Sequence, residues 1–144
     1  QALLQQAREA YDYVLIDSPA GLGPGFRLAV CGADRAIVVA VSDPSSLRDA
    51  QRVVTQLSQL ETIHLVVNRV RPRLLRRQNT TIDDAMDTAG LPLLGLVPED
   101  PKVVLAATEG RPLAQLGARR GAVRAYENIA RRLTGQPVPL MGLR

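Results

Sequence analysis

Tyr13-Val14-Leu15-Ile16-Asp17-Ser18-Pro19-Ala20-Gly21-Leu22 opens as an apolar run, closes that run with an acid and breaks at once into proline and glycine. A short apolar run bounded by turn residues reads as a buried strand, and the glycines and prolines through Gly25 read as the loop that follows. The same succession recurs along the chain. Arg35-Ala36-Ile37-Val38-Val39-Ala40-Val41, Ile63-His64-Leu65-Val66-Val67-Asn68 and Pro92-Leu93-Leu94-Gly95-Leu96-Val97 are three further strands. Helical spacing fills the intervals at residues 1–10, 26–31, 81–89, 101–109 and 117–133. Another helix starts at an N-cap on Ser45 or Ser46 and runs to about residue 60. Gly90 and Gly135 are placed to stop helices, and Pro101 to begin one. Strands joined by helices predict an α/β fold: a parallel sheet with helices on both faces, in one domain over residues 1–135. Residues 136–144 form a tail with two prolines and no evident structure.

Polar residues gather where such a sheet binds ligands, beyond the carboxyl ends of its strands. Asp17-Ser18, Ser42-Asp43, Asn68-Arg69 and Pro98-Glu99-Asp100 each directly follow an apolar strand. The pattern predicts a ligand edge.

Composition sets outer bounds. At 144 residues, 46% hydrophobic and 22% charged, the chain fits one globular domain with a core. Aromatics are 3% and tryptophan is absent, so the core must be Val, Leu, Ile and Ala, as in buried parallel strands. A single cysteine, Cys31, excludes an internal disulfide, and its context is not that of a zinc site; a reduced, cytoplasmic setting is expected. No apolar run approaches the roughly 20 residues of a membrane span. The first residue is Gln1 rather than methionine, which suggests a piece of a longer chain. The net charge is +4, and Lys102 is the only lysine. Arg69, Arg71, Arg73, Arg76 and Arg77 form a basic patch with no aromatic residue interleaved. It reads as a solvated loop, with phosphates or an acidic partner as the alternative. His64 reads as a core or rim histidine, Cys31 as a small buried residue, and Asp83 and Asp84 as acids favouring a helix start.

The strand ending in Asp17 resembles a Walker B element, and its continuation Asp17-Ser18-Pro19-Ala20-Gly21-Leu22 resembles the D-[SC]-P-A-G-[IL] segment of the MinD/ParA family of deviant Walker A P-loop ATPases. Residues 33–39, Asp43-Pro44-Ser45-Ser46-Leu47-Arg48-Asp49-Ala50, Val66-Val67-Asn68-Arg69, Leu94-Gly95-Leu96-Val97-Pro98-Glu99-Asp100 and residues 106–112 are similar to segments of the MinD branch, in the same order. The resemblance implies a three-layer P-loop fold truncated at its start, and an ATPase that positions the division septum through nucleotide-dependent dimerisation and membrane association. ATP or ADP and Mg²⁺ would be its cofactors. Asp17 would be the metal ligand and, with Ser18, catalytic; Pro19, Ala20 and Gly21 would form the switch and dimer face. Asn68, Arg69, Pro98, Glu99 and Asp100 would bind the nucleotide base. Ser45, Ser46, Arg48, Asp49 and Arg52 would meet MinC-like and MinE-like regulators. The protein would be a homodimer in the cytoplasm, peripheral at the inner face of the membrane.

Two alternatives stay open: a ParA-like or flagellar-number ATPase, the ParA type binding DNA, or a non-catalytic interaction module. Gly23-Pro24-Gly25 stands where the family commonly has an acid, and no GxxxxGK[ST] loop or lysine-rich variant is present. The family's membrane-targeting helix is missing or cut short. These 144 residues alone are therefore expected not to hydrolyse ATP. In the family the strand bearing the phosphate loop lies between residues 13–17 and 35–41. Without it, those two strands are expected to pair directly or to receive a strand from a second chain.

Overall fold

The computed structural model describes residues 2–78, 81–116 and 120–141, with the side chains of residues 76 and 78 left out. Three strands form one parallel sheet in the order β1-β2-β3: β1 (Arg35–Val41), β2 (Thr62–Val70) and β3 (Leu93–Pro98). The helices are α1 (Ala2–Ala10), α2 (Pro24–Cys31), α3 (Pro44–Thr55), α4 (Pro72–Gln78), α5 (Ile82–Ala89), α6 (Pro101–Thr108) and α7 (Gly121–Leu133), with a 3-10 turn at Leu113–Leu116.

Local chemistry sets the helix ends. Asp43, not Ser45 or Ser46, is the N-cap of α3, accepting the Ser45 and Ser46 amides at 3.1 and 3.0 Å, with Pro44 at the first helical position. This helix ends at Thr55, short of the expected residue 60. Thr81 and Asp84 make a reciprocal capping box at the start of α5, and Gly90 ends it in the left-handed conformation. Part of the basic stretch expected as a loop is helix α4, opened by Pro72. The last helix starts at Gly121; residues 117–119 of its expected span lie outside the described residues, as do Gln1 and residues 142–144. The tail runs on as coil, tied to α7 where the Arg132 Nε–H donates to the Val138 carbonyl at 2.9 Å.

Alternation along β2 divides the core into two. Leu65 and Val67 face a cluster that includes Leu47 and Ala50 of α3 and Ala85 and Ala89 of α5. Val66 points the other way, with Leu94 and Val97 of β3 packed on Ala122, Ala125 and Ile129 of α7. Three consecutive buried residues mean that both faces of β2 are covered, the three-layer arrangement expected. Gly95 makes the α7 layer possible: a Cβ there would lie 2.9 Å from Ile129 Cδ1.

On β1 the second layer is missing. Val38 and Ala40 are buried, whereas Ile37 is 39% and Val39 60% exposed. Its far edge has no strand beside it among the described residues. Residues 13–17, expected as a strand, have no strand structure, and Leu15 is 88% exposed. They do not pair with β1. A cleft of about 1000 Å³ lies between, lined by Val14, Leu15 and Ile16 on one side and by Ile37, Val38 and Val39 on the other. A strand is stable only with a hydrogen-bonding neighbour, and at this distance neither segment supplies one. Cys31, expected to be buried, is exposed.

Candidate functional site

The carboxyl edge of the sheet is built from β2 and β3. Their register slips between Val67 and Val70, where three residue steps on β2 oppose two on β3, Leu96 to Pro98, so Asn68 and Arg69 form a bulge. Arg69 is the one non-glycine residue at positive φ among those described, at 52°. Its N–H donates to the Oδ1 of the preceding Asn68 at 2.9 Å. Asn68 is half-buried and lies opposite Val41, which brings Ser42 and Asp43 alongside. A shallow depression of about 160 Å³ runs here between Val41, Ser42, Asp43, Arg69, Arg71 and Leu74.

Glu99 clamps this edge. Its N–H donates to the Val70 carbonyl at 3.0 Å, and its carboxylate accepts the Arg71 Nε–H in a short contact and Nη2–H at 2.6 Å, with Arg69 Nη2 at 3.4 Å. The Arg71 hydrogen bond, aided by Arg69, holds the Glu99 carboxyl below its ordinary range, and Glu99 raises Arg71 in return. Pro98 is fixed opposite Val70. Asp100 is fully engaged: Oδ1 accepts the Lys102 amide at 3.0 Å as the cap of α6, and Oδ2 the Ala122 amide of α7 at 3.1 Å. Of the expected base-site residues, all five thus converge on one edge, but Glu99 and Asp100 are spent on holding it. Asn68 is the one of the five with a side-chain amide.

Asp17 to Gly21 lie apart from this cluster, along the exposed extended segment. Asp17 is exposed, the Ser18 hydroxyl donates to the Pro19 carbonyl at 3.3 Å, and Gly21 has φ 86°. Ser18, Pro19, Ala20 and Gly21 line the large cleft with β1. Gly25, in the stretch where the family has an acid, is needed for packing: a Cβ would lie 2.6 Å from Pro19 Cγ. On α3, Ser45 bonds to the Asp43 cap and Ser46 Oγ accepts the Val41 amide at 3.1 Å, so both serines serve the helix start. Arg48, Asp49 and Arg52 are exposed, Arg52 pairing with Asp49 at 3.1 Å.

From sequence, Asp43 was read only as part of the ligand edge and Arg71 only as part of the basic patch, neither as a base-site residue. Asp43-Pro44 carried a readable signal, an acid before a proline at a helix start. Arg71 carried none, since its partner Glu99 lies 28 residues away.

Asn68, with an amide that both donates and accepts, fits the edge of a nucleobase. Among the described residues no group of three or more His, Cys, Asp or Glu could hold a metal ion. A magnesium ion bound with a nucleotide takes one or two protein carboxylates and fills its remaining positions with phosphate and water. Asp17 fits that lesser share. No described helix is long and apolar enough to cross a membrane.

No family model matches the chain. It is 42% identical over 145 residues to the septum site-determining protein MinD of Bacillus subtilis, an alignment covering 98% of this chain and 54% of the relative. The MinC:MinD cell division protein complex of Aquifex aeolicus superposes with a TM-score of 0.90 at 34% identity, covering 98% of this chain and 59% of that one. MinD of Pyrococcus horikoshii, solved with Mg-ADP, superposes at 0.79 with 27% identity, covering 92% and 54%. The chain spans about half the length of the relatives it matches.

Proposed function

Because this chain belongs to the MinD/ParA family of P-loop ATPases, matching its MinD members along nearly all of its length, we propose that it forms the base-binding and partner-facing part of an ATP-dependent protein that positions the division septum. The observation that carries this reading is the strand-end cluster, where Asn68 is presented on a bulge and Arg69, Pro98, Glu99 and Asp100 brace it. Of these five residues only Asn68 carries a side-chain amide for a base edge.

In this reading Asn68 binds adenine, and the Glu99 clamp keeps β2 and β3 at the separation the base requires. Asp17 is the protein's carboxylate for Mg²⁺, which when bound with the nucleotide neutralises phosphate charge. Residues 18–21, exposed and outside helix and strand, are free to take up a nucleotide-dependent conformation and to form a homodimer face. The cleft between residues 13–16 and β1 accepts the strand that carries the phosphate-binding loop, which would cover Ile37 and Val39. Arg48, Asp49 and Arg52 give α3 a charged outer face suited to MinC-like and MinE-like regulators, and the MinC:MinD neighbour supports the first of these. A cytoplasmic protein cycling on and off the inner membrane surface follows from the same reading.

The test is replacement of MinD in a deficient Bacillus subtilis strain by the complete gene product. Restored midcell septa are expected. Persistent polar septa, with the protein expressed and folded, would reject the assignment.

A further inference from the structure

The β2–β3 ladder is interrupted where it reaches the strand-end cluster. Its register slips between Val67 and Val70, so Asn68 and Arg69 stand out of it. Past the gap the Glu99 N–H reaches the Val70 carbonyl at 3.0 Å, and the next connection is between side chains. Arg71 lays its fork on both oxygens of Glu99, the Nε–H on Oε2 in a short contact and the Nη2–H on Oε1 at 2.6 Å. A two-point grip of this kind fixes orientation as well as distance. Arg69 reaches the same carboxylate at one point only, at 3.4 Å. Both ends of the fork are firmly mounted. The Arg71 carbonyl accepts the Leu74 and Leu75 N–H groups as α4 begins, and Leu75 is buried in the core. Glu99 adjoins Asp100, which is bonded to the starts of α6 and α7.

We propose that Arg71 is a positioning residue for nucleotide binding: its fork on Glu99 spans the bulge and holds Asn68 and Pro98 at the spacing that admits the base. The inference rests on the reading of this edge as the base site. Arg71 acts through Glu99 and raises affinity without supplying a bond to the base. A guanidinium at such an edge could instead attract phosphate directly, which would favour ATP but not adenosine. The bonding of Arg71 argues for the first role. It spends its Nε and one Nη group on the carboxylate, and its hydrogen bond is the chief reason that the Glu99 carboxyl lies below its ordinary range. Lysine is no substitute, because an ammonium is a point charge without the planar fork. Without the fork, the side-chain bridge left across the bulge is the 3.4 Å contact of Arg69.

The experiment measures equilibrium binding of ATP and of adenosine to the complete gene product and to its Arg71→Met, Arg71→Lys, Glu99→Gln and Asn68→Ala variants. Arg71→Met should weaken both ligands by the same factor, about fivefold, the scale of a well-aligned exposed ion pair. Arg71→Lys should lie closer to that variant than to wild type. Adding Glu99→Gln to Arg71→Met should bring no further loss, since the two residues act as one unit. A loss confined to ATP would make Arg71 a phosphate contact and overturn the inference, as would an Arg71→Met or Arg71→Lys variant that binds both ligands like wild type. If Asn68→Ala leaves both affinities unchanged, the base edge itself is rejected and the inference with it. If Asn68→Ala weakens both and Arg71→Met weakens neither, the inference alone is rejected. Should Arg71→Met not fold, Glu99→Gln decides, because it keeps the shape and loses the charged acceptor: an equal loss for the two ligands supports the positioning role, and no loss rejects it.

Discussion

The carboxylate of Asp100 accepts the backbone N–H of Ala122 at 3.1 Å, 22 residues downstream, while its other oxygen caps α6. One side chain therefore anchors the first turns of two helices and closes the strand-end edge from behind. Gly121 makes this possible, since a Cβ there would strike Asp100 and its φ of 58° suits glycine. Asp100→Ala leaves two helix-start amides without their charged acceptor, and a loss of about 1–3 kcal/mol is expected in urea melts. Asp100→Asn should lose less. An Ala variant as stable as wild type would deny the anchor.

Gly95→Ala should destabilise by about 1–3 kcal/mol through overpacking. The new methyl would meet Ile129 and push α7 off the sheet. Combined with Ile129→Ala, which removes both Cγ1 and Cδ1, it should cost less than the two single losses summed, and strict additivity would show that the contact is not the cause.

Acid should weaken the chain through its caps. Asp84 is held below the ordinary value of 3.8 by the Thr81 amide and hydroxyl, and Asp43 is lowered chiefly by the Ser45 hydroxyl and the Ser46 amide. A carboxyl whose folded-state pKa is depressed stabilises fully above its unfolded pKa. That contribution is lost as pH falls through the folded one. Asp84→Asn should therefore trail wild type near neutral pH, with the gap closing only as pH falls below the ordinary value of 3.8 and through the lowered folded-state one. A gap constant with pH would exclude the charged cap.

The 144-residue chain alone should show no Mg-ATPase activity above background, because no segment of it supplies a glycine-rich cradle and lysine for the phosphates. Hydrolysis by the purified chain that is abolished by Asp17→Ala would contradict this. In the complete gene product Asp17→Ala should reduce Mg²⁺-dependent turnover about a hundredfold or more, and a wild-type rate would remove Asp17 from the metal site. Asn68→Ala should weaken ATP binding and relax discrimination against GTP, which parallel titrations would reveal.

The elements that hold their own hydrogen bonds were legible in the sequence. β1, β2 and β3 announce themselves by apolar runs, and Gly90 and Pro101 mark a helix end and a helix start as read. The convergence of Asn68, Arg69, Pro98, Glu99 and Asp100 followed from strand ends alone. Residues 13–17 misled because their apolar run has a strand's composition, while strand geometry depends on a neighbour that composition does not report. The Arg71–Glu99 clamp was hidden for a related reason. It arises from the alignment of Val70 with Pro98, a register set by a bulge, and no local spacing encodes it. Ser45 and Ser46 were favoured as caps on residue type, when Pro44 at the first helical position already required the cap to be Asp43.

The open flank of β1 also sets an order of assembly. Strands β1, β2 and β3 pair in the order in which they are synthesised, the first ladder closing across α3 and the second across α4 and α5. Both ladders lie within residues 35–98, so they need no residue before Arg35 to close. Both hydrophobic clusters draw only on residues from Phe26 onward, so neither waits for residues 13–17. The sheet is thus a finished template on which a further strand would condense last, zipping residues 13–17 into register as it enters. Amide exchange would follow that sequence, slowest at Leu65 to Val67 and fastest along Tyr13 to Asp17.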